Sequence, residues 1–194
     1  MLVGVTGSIA SGKSTFCNML KEQGCLVIDC DEIAHDVIKS GRVAYYEIIY
    51  EFGEEILNKK KEISRKKLGK IVFKDPVKLK KLESIIHPKV LKEVKKYKKE
   101  SLVFFEVPLL FEAHWENYFD RIVVVTTNFN SQVKRLMERN EITSDEAINL
   151  IFLQIPIKEK IARADYVIYN NGTNFELRKY AKDFLNDIVN EIRN

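Results

Sequence analysis

The stretch Thr6-Gly7-Ser8-Ile9-Ala10-Ser11-Gly12-Lys13-Ser14-Thr15 constrains this chain more than any other feature. Gly7, Gly12, Lys13 and Ser14 fit the spacing G-x-x-x-x-G-K-[ST] of the P-loop, or Walker A, motif. Each position has a chemical reason. Glycines allow backbone conformations closed to residues with a Cβ, so successive amides can converge on an anion. The N-terminus of the following helix adds its partial positive charge. Lys13 would reach the terminal phosphates as a mobile point charge, and the Ser14 hydroxyl would ligate Mg²⁺. An ordinary Gly/Ser turn has a similar composition, but the context is specific. Leu2-Val3-Gly4-Val5 reads as a strand before the loop, and Phe16, Met19 and Leu20 at i, i+3, i+4 read as a helix after it. Strand, loop and helix in that order predict a nucleotide phosphate site.

Four further apolar runs, 25–29, 102–107, 121–126 and 166–169, read as strands. Helices are predicted over 131–139, 143–152 and 174–192, the second opened by a capping box of Thr143 and Glu146. Helical patterns also fill the chain from the second strand to about Tyr97. Asp75-Pro76 starts one of them as N-cap and first helical residue. Pro88 should break or kink the helix that holds Leu79, Leu82 and Ile86. Short apolar strands alternating with helices predict an α/β fold, a five-stranded parallel sheet flanked by helices. The connection between strands two and three far exceeds the ~12 residues a crossover needs. It reads as an inserted helical pocket for a second substrate.

Composition bounds the rest. A chain of 194 residues with 45% hydrophobic and 31% charged residues can bury a real core. No apolar run approaches the ~20 residues of a membrane span, and the N-terminus shows no signal-peptide pattern. Cys17, Cys25 and Cys30 are odd in number and lack metal-ligand spacing, so neither a disulfide framework nor a zinc site is indicated. A cytoplasmic protein without a membrane partner is expected. The net charge of +4 hides an asymmetry: from Lys59 to Lys99, sixteen lysines and Arg65 face Glu62, Asp75, Glu83 and Glu93, leaving +13 there and −9 elsewhere. Most of these lysines read as solvated helix faces, and a nucleic acid or a small anionic substrate are the other readings. RNA recognition would want aromatics beside the cations, and Phe73 and Tyr97 are thin support. No nucleic-acid partner is expected.

The fate of the phosphate follows from what accompanies the loop. No N-K-x-D base-reading motif is present, and strand three ends Glu106-Val107-Pro108 where motor ATPases carry an Asp. A kinase of small molecules needs a carboxylate near the acceptor hydroxyl and a cationic lid. Asp29 and Asp31 stand at the carboxyl end of strand two, the edge where open parallel sheets bind ligands. Asp31 could equally N-cap a helix that begins at Glu32. Arg135 and Arg139 share one helix face, and Gln154, Lys158, Lys160 and Arg163 follow; a solvated basic helix is the other reading. Taken together these features predict a small-molecule kinase.

Eight stretches then resemble the dephospho-CoA kinase family, in the family's order. They are "GVTGSIASGKST" from Gly4, "VIDCDEIAH" from Val27, "FGEEIL" from Phe52, "SRKKLGKIVF" from Ser64, "LESIIHPKV" from Leu82, "EVPLLFE" from Glu106, "RLMERN" from Arg135 and "ADYVIYNNG" from Ala164. The resemblance implies a P-loop kinase unit spanning 1–194: a core of 1–30, 101–139 and 164–194, a substrate-binding insertion of about 31–100, and a lid of about 140–163. It implies transfer of the ATP γ-phosphoryl to the ribose 3′-hydroxyl of dephospho-CoA; another small-molecule or nucleoside kinase of the same fold is the alternative. Gly7, Ser8, Ile9, Ala10, Ser11, Gly12, Lys13, Ser14 and Thr15 would hold ATP and Mg²⁺, with Ser14 on the metal. Arg135, Asn171 and Gly172 would join them, with Asn170-Asn171-Gly172 lying toward the adenine. Asp31 would act on the acceptor hydroxyl, Arg139 would reach the phosphates from the lid, and Lys13 completes the catalytic set. Thr6, Asp31, Arg65, the His87-Pro88 turn, Pro108 and Leu109 fall on the acceptor side. Two positions depart from the family pattern: His35, where Arg is common, and Lys59-Lys60-Lys61, where Asp-Gly is usual.

Overall fold

Strands that are apolar on both faces need cover on both faces, and the order of elements supplies it. The computed structural model describes residues 1–193. The chain runs β1 (Leu2–Gly7), α1 (Lys13–Glu22), β2 (Val27–Asp29), α2 (Cys30–Val37), α3 (Val43–Phe52), α4 (Arg65–Val72) and α5 (Pro76–Val94). It continues with β3 (Val103–Glu106), β4 (Arg121–Thr126), α6 (Phe129–Asn140), α7 (Ser144–Phe152), α8 (Ile157–Ala162), β5 (Tyr166–Tyr169) and α9 (Asn174–Arg193). The five strands form one sheet of order β2-β3-β1-β4-β5 with every neighbouring pair parallel. β1 and β3 are buried throughout and β4 is buried past its first residue, as two-sided cover requires. The expected α/β architecture is what forms.

The chain divides into two compact units, Met1–Asp29 with Lys99–Asn194, and Cys30–Lys98. In the first, α1 and α9 lay Phe16, Leu20, Phe184 and Ile188 on the sheet beside Val3, Val5 and Phe104. The Phe184 ring lies 5.7 Å from Phe16, 6.0 Å from Phe104 and 5.2 Å from Tyr166, centroid to centroid. Such aromatic pairs add about 0.5–1.5 kcal/mol each beyond area burial. A smaller apolar cluster of Val133, Leu136 and Ala147 joins α6 to α7 and takes in Ile9 and Ala10.

The second unit is helical and has its own core of Tyr45, Ile48, Phe52, Ile56, Leu68, Val72 and Ile85. Phe52, Ile56 and Leu68 are therefore core residues, whereas Phe73 is 81% exposed. Its lysines are mostly solvated, and pairs such as Lys61–Glu54 at 3.7 Å and Lys81–Glu51 at 3.5 Å are exposed ones that contribute little.

Three expectations need correction. β2 begins at Val27 and not at Cys25. α8 was missed: at six residues it is too short for periodicity to reveal. α5 is continuous across Pro88, so of the expected break or kink the break does not occur. Proline removes one amide, the donor to the Ser84 carbonyl, and both residues lie on the exposed side, where water can serve that carbonyl. Ile85, Val90, Leu91 and Val94 stay buried on the other face, so packing outweighs the lost bond. Replacing Pro88 by Ala should then stabilise α5 by about 1–2 kcal/mol, the interior proline penalty less the unfolded-state entropy regained. Hydrogen exchange of the α5 amides in urea measures it, and faster exchange in the variant would contradict this account.

Candidate active site

Two glycines give the loop after β1 its path. A Cβ on Gly7 would lie 2.2 Å from the Val125 carbonyl oxygen of β4, and one on Gly12, at φ 93°, would lie 2.1 Å from Asn170 Nδ2. Both positions exclude side chains. Ala10, between them, is left-handed at φ 58°, which costs a residue with a Cβ about 1–2 kcal/mol. The loop is held from outside. Asn170 Nδ2 donates to the Ser11 carbonyl at 2.9 Å, Gln132 Nε2 donates to the Ile9 carbonyl at 2.8 Å, and the Ile9 N–H donates to Gln154 Oε1 at 2.9 Å. α1 then begins at Lys13 with no acidic residue in its first turn. Its positive end is left for an anion.

The strongest contacts at that helix start meet one carboxylate. Lys13 Nζ and Ser14 Oγ each lie 2.5 Å from Glu106 Oε1, and the Lys13 and Glu106 side chains are only 12% and 10% exposed. Burial alone would push the Glu106 carboxyl up, but hydrogen bonds from Lys13 and Ser14, the Lys13 charge and the Cys17 thiol hold it below the usual range. The Cys17 thiol is itself pushed far up, by burial first and by Glu106 second, so it stays protonated and can donate. From sequence, Glu106 is placed at the end of the third strand and assigned no role. The missing signal was strand order: β3 lies beside β1, with Glu106 opposite Val5 and, on its other side, opposite Asp29. Ser14 and Glu106 offer two hard oxygens at one helix start, a donor set that fits Mg²⁺. Among the described residues no cluster of three or more His, Cys, Asp or Glu could hold a metal.

The other candidates of this unit divide into those at the loop and those away from it. Thr6 and Ser8 are buried, Thr15 is exposed, and the Thr6 hydroxyl donates to the Pro108 carbonyl at 3.4 Å. Leu109, next to Pro108, is 48% exposed. Arg135 Nη2 donates to the Asn170 carbonyl at 3.3 Å, and its Nη1 is buried without a hydrogen-bond partner, 3.8 Å from where a Gly12 Cβ would be. Arg139 is exposed and its Nε donates to Asn140 Oδ1 at 3.0 Å. Asn171 Oδ1 accepts from the Asn128 N–H at 2.7 Å, and the adjacent Gly172 is exposed. In the 140–163 stretch Lys160 is fully buried, its Nζ 2.7 Å from Glu112 Oε1, which also accepts from the Ile155 N–H at 3.2 Å. Arg163 pairs with Glu116 and lies 4.6 Å over the Phe111 ring. Lys160 is an anchor in an ion pair, unlike the solvated lysines of the other unit.

In the second unit, α2 begins at Cys30, so Asp31 lies within its first turn and does not precede it. The capping reading of Asp31 therefore falls. Arg65 opens α4 and, with His35, Ile38, Lys39, Glu62 and Ile63, walls a cavity of about 440 Å³. Arg65, Lys66 and Lys67 fill the first turn of α4, where the helix end is already positive and cations are unfavourable without an anion. His87 is half-buried and its pKa is lowered, chiefly by burial, against the opposing charge of Glu83. It lies inside α5, so His87-Pro88 is a helix interior where a turn was expected.

Comparison with known proteins places this geometry. The sequence profile described as dephospho-CoA kinase matches residues 1–176. A dephospho-CoA kinase of Listeria monocytogenes is 42% identical over 193 residues, covering 96% of each chain. The crystal structure of a Thermus thermophilus protein superposes with a TM-score of 0.81 at 32% identity, over 96% of this chain and 97% of that one. That of a dephospho-CoA kinase from Campylobacter jejuni gives 0.73 at 33% identity, over 96% of each.

Because folding lowers the Glu106 pKa, the stability drawn from its charge is complete above the ordinary glutamate range. It fades as pH falls through that range toward the lower folded value. Unfolding free energies of wild type and Glu106→Gln should stay about 1–3 kcal/mol apart from roughly pH 7 to 5 and converge below about pH 4.3. Urea titrations across that range measure it, and curves that stay parallel to pH 3 would show that the charged pair adds nothing.

Proposed function

The chain belongs to the dephospho-CoA kinase family, and from that premise we propose how its own residues carry the reaction. It phosphorylates dephospho-CoA in coenzyme A biosynthesis, with ATP as phosphoryl donor. The finer assignment is transfer of the γ-phosphoryl to the ribose 3′-hydroxyl. The acceptor follows from the family, and the observation that carries the phosphate site is the meeting of Lys13 and Ser14 with Glu106 at the start of α1.

The amides from Gly7 to Thr15 cradle the ATP phosphates. Lys13 exchanges part of its pairing with Glu106 for the terminal phosphate oxygens, and so arrives already desolvated and oriented. Ser14, with Glu106 beside it, would hold Mg²⁺, which would supply positive charge to offset that of the phosphates. Arg135 brings its unpaired Nη1 from the α6 side of the loop. Arg139, at the end of α6 beside the 140–163 lid stretch, adds a second cation, and exclusion of water strengthens both. Asn171 and Gly172 lie toward the adenine. Asp31 accepts the proton or hydrogen bond of the acceptor hydroxyl and so orients it for in-line attack. Arg65 holds the acceptor's diphosphate, for which its planar fork is suited. Thr6, His87, Pro108 and Leu109 complete the acceptor side. The location we propose is cytoplasmic; no described helix is long and apolar enough to cross a membrane.

Purified protein given ATP and Mg²⁺ should release ADP with dephospho-CoA and not with AMP, uridine or a sugar acid. Lys13→Ala should lower that turnover by roughly 10²–10³ by analogy with loss of one preorganised donor. Turnover on AMP with none on dephospho-CoA would defeat the assigned acceptor, and a folded, fully active Lys13→Ala would end the loop assignment.

Asp31→Asn keeps shape and one acceptor oxygen but loses charge and basicity. It should cut kcat by roughly 10²–10⁴, the worth of a positioned base, while ATP affinity holds within about threefold. Asp29→Asn is the matched control and should do less. An Asp31→Asn enzyme with wild-type kcat removes the carboxylate from the mechanism.

A further inference from the structure

The apex of the phosphate loop is gripped by two glutamines. The Ile9 N–H donates to Gln154 Oε1 at 2.9 Å, and the Ile9 carbonyl accepts from Gln132 Nε2 at 2.8 Å. Gln132 comes from α6 and is buried; Gln154 comes from the turn between α7 and α8. The backbone settles which end of each amide faces it, because only an oxygen can meet an N–H and only the amide NH₂ can meet a carbonyl. The next residue, Ala10, is held left-handed at φ 58°, a conformation that a residue with a Cβ avoids unless its surroundings impose it. Ile9 and Ala10 also pack against the Val133, Leu136 and Ala147 cluster.

We propose that Gln132 and Gln154 are positioning residues for ATP: by clamping the Ile9 backbone they hold Ala10 left-handed and keep the amides beyond it aimed at the phosphates before nucleotide arrives. The inference rests on reading Gly7 to Thr15 as the phosphate loop. The two glutamines act through the Ile9 backbone, so their effect is on the fraction of protein whose loop is ready. Apparent affinity scales with that fraction. Gln132 lies on the helix that carries Arg135, so the clamp also ties the loop to the element that supplies a phosphate-side cation.

The two glutamates that test this place the same charge on either side of one residue. Gln154→Glu keeps an acceptor for the Ile9 N–H, whereas Gln132→Glu sets an acceptor against a carbonyl. ATP Kd by calorimetry, KM for dephospho-CoA and Tm are measured on the full chain. Gln132→Glu should weaken ATP binding about five- to tenfold more than Gln154→Glu, with the acceptor KM within about twofold in both. Adding Ala10→Gly, which removes the left-handed strain, should recover most of the loss in Gln132→Glu. Gln132→Met, which deletes the donor without adding charge, should show the same loss and stands in if the glutamate variant does not fold. Equal losses in the two glutamate variants, or no recovery with Ala10→Gly, would overturn the clamp. Lys13→Ala separates the premise: unchanged ATP affinity there would mean that the loop itself does not hold phosphate.

Discussion

One buried carboxylate organises the loop after β1 and the start of α1. Glu106 brings a negative charge to the start of α1, where the helix already favours one, and Lys13 and Ser14 close on it at hydrogen-bond distance. Neither Lys13 nor Glu106 could be so little exposed alone, since an unpaired buried charge is far more costly than a paired one. The pairing depends on the parallel register that sets Glu106 opposite Val5, two residues before the loop glycine. It depends as well on the Phe16, Leu20 and Phe184 packing that fixes α1 over the sheet. The conformation of the loop is in this sense a property of the whole first unit.

The supports of that loop come from far along the chain. Asn170 follows β5, Gln132 lies on α6 and Gln154 lies beyond α7, and each meets a backbone atom of the loop. The Lys160–Glu112 pair anchors α8 to the segment after β3 in a similar way. Removing either partner there would leave the other charge buried, which is why such pairs fix a position more than they add stability. The expected lid stretch is thus tied at both of its helices, by Gln154 near one and Lys160 on the other.

Much of this was legible in the sequence, and the reasons differ by element. The loop could be read because glycine spacing, lysine and hydroxyl each answer one chemical need. The central strands could be read because two-sided burial leaves uninterrupted apolar runs, as in Ile122 to Val125, whereas the edge strands β2 and β5 are only partly buried and were read from shorter apolar runs. The capping box of Thr143 and Glu146 is local and was found intact. What could not be read is what needs strand order or distant partners. Glu106 gains its role only once β3 is known to neighbour β1. Gln132 looks like an ordinary polar residue, and Gln154 like part of a lid, until Ile9 is placed between them. Lys160 reads as one cation of a lid, although its side chain is fully buried in a pair with Glu112. Pro88 misled for a different reason: its local penalty is real, but the apolar face of α5 outweighs it.

The sheet order has a consequence for how the chain is made. The central strand β1 precedes its partner β3 by about a hundred residues, with Leu2 paired to Val103. At ribosomal rates of about 5–20 residues per second, β1 waits on the order of 5–20 seconds for its first neighbour. During that interval the helical unit Cys30–Lys98, whose core is drawn from nearby residues, emerges complete. An apolar strand with both edges open is the kind of segment that pairs wrongly, so β1 is exposed to mispairing until β3 is made.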